Sequence, residues 1–377
     1  MTMTLDRKQA AAAVPPPDQV TLRRRGVGLT AWDPSRSAGG LTLYAPQTAA
    51  GKVALIDEQG REVHTWKLPV RPGRHAALLP NGNLGYNGSC QDGPVLYGIW
   101  PLWRGGDFME VAPDGEILWR HRDPAHHHDA QWLANGDLLY TAAHPLPDEI
   151  VRRLGAQAGA TVYGDVVKQV NRAGETVWEW KSWEHIRPED FPTQPVFDQA
   201  HWPMINGLWD ASGGRVLMSL RTTSGVIAVS KETGAITWTL GQDVLAQQHT
   251  PVELDNGNVL IFDNGTMRRG VSSHYSRVIE VDPATNAVVW EYRDPNGPSF
   301  FSPYMGGAQR LWNGNTFVTD SASGRLFEVT PDKNVVWEYV IPDFAPYPEP
   351  GLAGKIDGHH NSVFRAYRYR REDAPWL

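Results

Sequence analysis

The sequence has one cysteine, Cys90, in 377 residues. No intrachain disulfide can form and no thiolate cluster is available, so a bound metal would need His, Asp, Glu or carbonyl ligands. Long apolar runs are also missing. No stretch approaches the roughly 18 residues of a membrane span, and the alanine run of "MTMTLDRKQAAAAVPPPDQV" is too short for a signal-peptide core. These gaps point to a cytoplasmic protein that engages no membrane. Nor is there a basic excess: 35 Lys and Arg stand against 42 Asp and Glu, a formal charge of -7. That balance supplies no cationic face for a phosphate backbone, which removes nucleic acid from the expected partners.

What the chain has in abundance is turn residues and large aromatics, 37 Gly, 29 Pro and 16 Trp. Many turns and many indoles in a non-repetitive text suggest an all-β protein of short strands. One phrase recurs six times: "EQGREVHTWKL", "PDGEILWRHR", "RAGETVWEWK", "ETGAITWTLG", "PATNAVVWEYR" and "PDKNVVWEYV". Its tryptophans, Trp66, Trp119, Trp178, Trp238, Trp290 and Trp337, stand 47 to 60 residues apart. That period suits a four-stranded propeller blade, and each Trp is expected to pack between neighbouring blades. A second phrase lies between the copies, as in "HAALLPNGNLGY", "HDAQWLANGDLLY" and "HTPVELDNGNVLIF". It reads as a hairpin around an Asn-Gly or similar turn.

The chain starts out of phase, with no hairpin phrase before Trp66, and ends on "GHHNSVFRAYRYR" with no Trp phrase after it. The last segment is therefore expected to complete the first blade, leaving no open edge. The expected architecture is one six-bladed propeller over residues 35–377, of which about 35–370 is blade, with an extended or loosely ordered lead-in over residues 1–34.

First strands of blades line a propeller's channel, so residues that open them form a ring. Counting back from each turn gives His75, His128, Met204, His249 and Gly306, with His359 or His360 in the closing strand. Convergent imidazoles support two chemistries: a neutral ring is a nucleophile or base, and three or four rings with an open position hold a divalent transition metal. In "AHHHDAQW", strand alternation would place His126 and His128 on one face, with His127 turned away. His128 is then the inward residue and His126 a supporting one. Arg221, in an apolar stretch, would need an anionic partner, either a substrate group or a structural carboxylate. Aromatics around "LYGIWPLWRGG" and "HWPMINGLW", namely Tyr97, Trp100, Trp103, Trp202 and Trp209, with Trp132, either form a flat apolar pocket for an aromatic substrate or pack loops onto the ring.

The run "QHTPVELDNGNVLIFDNG", followed by "SRVIEVDP", "VVWEY" and "AQRLWNGNTFVTDSASGRLFEVT", resembles the aryl-sulfate sulfotransferase family over about residues 75–340. The resemblance implies a six-bladed propeller that moves sulfate between phenols without a nucleotide donor. It implies that His249 accepts the sulfuryl group, that Arg221 and Asn206 bind its oxygens, and that His128 acts as acid or base. Met204 stands where the family carries a further histidine. His201, three residues earlier, could replace it only if the backbone loops inward.

Two readings follow. In the first, sulfuryl transfer needs no cofactor and uses His249, Arg221, Asn206 and His128, with a phenolic substrate held by Trp100, Trp103, Trp132, Trp202 and Met204. In the second, a metal-dependent lyase or hydrolase holds a divalent transition ion on His75, His128, His249 and His360.

Overall fold

The computed structural model describes residues 26–157, 159–194, 200–349, 356 and 358–377, with Trp103 described by its backbone alone. Six antiparallel sheets form a six-bladed propeller. Pro72–Leu78, His126–Trp132, Ile205–Ala211, His249–Glu253 and Gly307–Arg310 are the innermost strands of blades 2 to 6. Blade 1 takes Leu41–Tyr44, Lys52–Ile56 and Glu62–Lys67 from the start of the chain, and its innermost strand, Tyr367–Tyr369, from the end. The split closure expected from the phase of the repeat is therefore present. Gly28–Trp32, inside the expected lead-in, pairs with Val335–Val340 as a fifth strand on the outer edge of blade 6. It covers an edge that would otherwise offer unpaired backbone. Residues 1–25 of the lead-in lie outside the described residues.

The "NGN" phrases are tight turns. Gly82, Gly136, Gly257 and Gly314 all have φ between 82° and 86°, which a residue with a Cβ adopts only at a cost. The flanking asparagines brace the third strand. Asn81 and Asn83 both donate to Glu110 Oε1, and Asn256 and Asn258 both donate to Glu280 Oε1.

Apolar residues pack in the six seams between blades. Leu208, Met218 and Ile227 of blade 4 meet Leu139, Val167 and Trp180 of blade 3, and Phe262 and Val278 of blade 5 meet Val318 and Phe327 of blade 6. The six repeat tryptophans stitch these seams. Trp66, Trp119, Trp178, Trp290 and Trp337 donate Nε1–H to the carbonyls of Ala112, Arg172, Lys231, Pro331 and Glu58, and Trp238 donates to Asn286 Oδ1. Each bond reaches a turn of the following blade, and Trp337 to Glu58 links blade 6 to blade 1. An indole buries a large apolar face while its N–H finds a partner, and each bond adds about 1 kcal/mol to the seam.

Candidate active site

The inner strands open with a bend. Pairing registers slip between Pro72 and Ala76, Ile205 and Gly207, and His249 and Val252. Among the described residues, nine non-glycine residues have positive φ, and five of them, His128, Met204, Gln247, Thr250 and Met305, lie in or next to these strand starts. Left-handed backbone costs such residues roughly 1–2 kcal/mol each. Strain gathered at one end of a channel is typical of a site that aims side chains inward.

At that end lies a cavity of about 550 Å³. His128, His249, Arg74 and Arg221 line it, with Tyr97, Tyr304, Tyr347 and Phe364 as its aromatic wall. His249 opens its strand and is buried. Asn264 donates its amide N–H groups to the carbonyls of Ser302 (2.8 Å) and Met305 (2.7 Å), so its Oδ1, 2.7 Å from His249 Nδ1, must accept. The proton of His249 therefore sits on Nδ1. Nε2 keeps its lone pair, which accepts the Met305 N–H at 3.2 Å. Burial, reinforced by the charge of Arg221, lowers the His249 pKa to about 3, so the ring is neutral at neutral pH.

The cations are also desolvated. Burial lowers Arg221 to about 10, and its Nη1 lies 3.8 Å from Met204 Sδ. Burial pulls Arg74 well below its usual range. Arg74 donates Nη1–H to the Gly73 carbonyl at 2.7 Å, while its buried Nε and Nη2 have no partner among the described residues. A buried guanidinium with unused donors is a receptor for an oxyanion.

His128 is anchored from behind. Its Nδ1 lies 2.8 Å from His127 Nδ1, and His127 Nε2 lies 3.1 Å from Asp165 Oδ1. His201 Nε2 reaches the same Oδ1 at 3.1 Å, and its Nδ1 lies 2.8 Å from the Tyr97 hydroxyl. Alternation along the histidine triplet fails because His128 has φ of 55°, which brings the His127 and His128 rings to 5.1 Å of each other. His126 turns instead into the seam with blade 2, where its ring nitrogens meet the Thr141 carbonyl and the Asn87 amide.

Several expected residues lie elsewhere. Asn206 does not line the cavity: its amide is already donated to the Gln248 carbonyl at 2.9 Å, which ties blade 4 to blade 5. Trp100 and Trp202 are fully buried in packing, Trp132 stacks edge-on against Trp119, and none of the three lines the cavity. The Trp103 side chain lies outside the described residues. Met204 and His201 do line it, so the backbone before blade 4 loops inward. His360 lines it and His359 is exposed. His75 sits behind Phe364, stacked at 5.7 Å, and faces Asp129. His75, His128, His249 and His360 do not bring their donor atoms within one ion's reach. Among the described residues, His127, Asp165 and His201 do. Arg74 and Asn264 were missed, although "RHAALLPNGN" and "FDNG" contained them.

The family model for arylsulfotransferase matches residues 103–341, more than half of the chain. No curated protein matches it significantly. Among solved structures, a Bacteroides caccae protein of unknown function is similar at TM-score 0.55 and 15% identity, over 88% of this chain and all of that one. An inactive variant of virginiamycin B lyase from Staphylococcus aureus, in complex with quinupristin, aligns at TM-score 0.46 and 10% identity over 85% of this chain and 87% of the lyase. A streptogramin B lyase aligns at 0.45 and 13%, over 84% and 83%.

Proposed function

Because the chain belongs to the arylsulfotransferase family, we propose that it transfers a sulfuryl group from an aryl sulfate to a phenol through His249. One observation carries this reading. A neutral imidazole with its proton pinned at Nδ1 shares a cavity with a buried arginine, Arg74, whose Nε and Nη2 have no partner among the described residues.

The bound sulfate ester places its oxygens against Arg74 and Arg221 and its ring among Tyr97, Tyr304, Tyr347 and Phe364. His249 Nε2 attacks sulfur, the S–O bond to the aryl group breaks, and its electron pair leaves on the phenolate. The N-sulfated ring carries positive charge, which the Asn264 Oδ1 stabilises through Nδ1–H. The Met305 N–H, released from Nε2, becomes a donor to the sulfuryl oxygens. The acceptor phenol then attacks sulfur, the S–N bond breaks, and the pair returns to Nε2. The phenolate released first takes up one proton and the acceptor phenol gives one up, so the cycle balances. His128 either carries that proton or donates a hydrogen bond to the sulfuryl group, depending on which nitrogen of His127 holds its proton.

The test is release of 4-nitrophenolate from 4-nitrophenyl sulfate with phenol as acceptor, with mass spectrometry of donor-only mixtures. His249 should gain one SO3 group, and His249→Ala should lower kcat by about 10³-fold or more. Arg74→Met should lower kcat/KM roughly 10- to 100-fold through the lost charged hydrogen bonds. Undiminished activity in His249→Ala, or no sulfated histidine, would sink the proposal.

A further inference from the structure

At the cavity wall, which His201 lines, His127, Asp165 and His201 place one ligand atom each within 4.8 Å of one another, and all three residues are buried. We propose that this group is a structural site for a divalent first-row transition ion, formed by His127 Nε2, His201 Nε2 and the Asp165 carboxylate.

Two buried atoms carry the inference. His127 Nε2 lies 3.1 Å from Asp165 Oδ1 yet out of line for a hydrogen bond, and Asp165 Oδ2 has no partner among the described residues. Buried polar atoms without partners are rare, and a ligand that satisfies both explains them together. Bonds of about 2.0–2.2 Å to nitrogen and oxygen put tetrahedral ligand atoms roughly 3.3–3.6 Å apart, close to the two 3.1 Å nitrogen-to-carboxylate separations here. Oδ2 can add a chelating contact from the same carboxylate, which then takes one vertex of the tetrahedron with both oxygens.

The surroundings suit ligation. A ligating histidine normally donates its other N–H to a fixed partner. His201 Nδ1 lies 2.8 Å from the Tyr97 hydroxyl, and His127 Nδ1 lies 2.8 Å from His128 Nδ1. Asp165 Oδ1 also accepts the Ile205 N–H at 3.0 Å, which orients the carboxylate. His127 and Asp165 belong to blade 3, and His201 lies just before blade 4, so an ion would clamp the seam between them. The site shares no residue with the four-histidine ring expected from sequence. It also fixes a tautomer: His127 Nδ1–H donates to His128 Nδ1, which leaves the His128 proton on Nε2. Within the sulfuryl-transfer reading, and only there, this makes His128 a hydrogen-bond donor to the sulfuryl group.

Untagged full-length protein, dialysed against metal-free buffer, is titrated with Zn²⁺ alone by calorimetry, and its metal content before and after is measured by plasma mass spectrometry. One equivalent should bind and raise the thermal unfolding temperature, and Co²⁺ in its place should give visible d–d absorption that Zn²⁺ removes. Asp165→Asn and His201→Gln should lose that equivalent, whereas His360→Ala, a cavity histidine outside the group, should keep it. Should Asp165→Asn fail to fold by circular dichroism, His201→Gln and the Co²⁺ spectrum of the unaltered protein carry the test. Binding of less than about a tenth of an equivalent, or full binding by folded His201→Gln, overturns the site. None of these readouts depends on activity, so failure of the metal site and failure of sulfuryl transfer are distinguishable.

Discussion

Asn264→Ala separates orientation of His249, the proposed nucleophile, from contact with substrate. Asn264 makes three buried hydrogen bonds, from His249 Nδ1–H and to the carbonyls of Ser302 and Met305, at 2.7 to 2.8 Å. In the variant, Ser302 O keeps a bond from Ser276 Oγ at 3.3 Å, whereas the bonds of Asn264 to His249 Nδ1–H and to Met305 O are lost. Two buried groups left unsatisfied at about 1–3 kcal/mol each, partly rehydrated, predict a loss of about 2–4 kcal/mol in urea unfolding. The kinetic effect has a different origin. Under the proposed sulfuryl transfer, the bond to Nδ1–H becomes charge-assisted only when Nε2 carries the sulfuryl group, and such a bond contributes about 1.5–3 kcal/mol. The expected result is a kcat roughly 10- to 100-fold lower. KM should hardly change, because Asn264 does not line the cavity. Steady-state kinetics with 4-nitrophenyl sulfate, at a temperature where circular dichroism shows the variant folded, reads both constants. Wild-type kcat in a folded variant, or a loss confined to KM, refutes the reasoning.

The remaining predictions concern pH and the seams. His249 has a folded pKa of about 3 against an ordinary 6.5, so between those values the unfolded chain binds a proton that the folded protein does not. Its contribution is fully present above pH 6.5 and is lost on acidification towards pH 3, up to about 5 kcal/mol at 1.36 kcal/mol per unit. His249→Gln should flatten the pH dependence of urea unfolding in that window, and an unchanged slope would contradict the assignment. The acid limb of wild-type kcat/KM should likewise fall well below pH 6.5, and a limb at the ordinary histidine value would mean that the ring is not desolvated. Trp337→Phe removes the indole bond to the Glu58 carbonyl across the closure and should cost about 1–2 kcal/mol in urea unfolding. Trp238→Phe, whose partner Asn286 is exposed, should cost less. Equal costs would mean that the closure seam is not special.

The repeat made the ring legible. Six tryptophan phrases and their Asn-Gly hairpins specify strands, turns and blade number through local chemistry that each copy states again. The missing phrase before Trp66 and the surplus segment after Trp337 specified the closure. His249, His128 and Met204 could be placed near the channel because the repeat gives their distance from a turn, whereas the choice of His360 over His359 and the inward turn at His201 came from the structure. Asn206 could not be, since its amide is spent on the Gln248 carbonyl of the next blade, and nothing in "MINGLW" shows that bond. Of the aromatics in that cluster, Tyr97 reaches the wall, whereas the indoles of Trp100 and Trp202 are buried in packing and the rest of the wall is Tyr304, Tyr347 and Phe364.

By itself, then, the sequence determined the blades, their number and order, and the position of His249 at the start of an inner strand, because those depend on residues near one another in the chain. Only the tertiary structure decided which side chains share the cavity. Left-handed backbone at His128 overturned strand alternation, and Asn264, 15 residues beyond His249, chose its tautomer. His127, Asp165 and His201 came together across 74 residues of chain. Such groupings depend on how blades meet and strands bend, which no local pattern encodes.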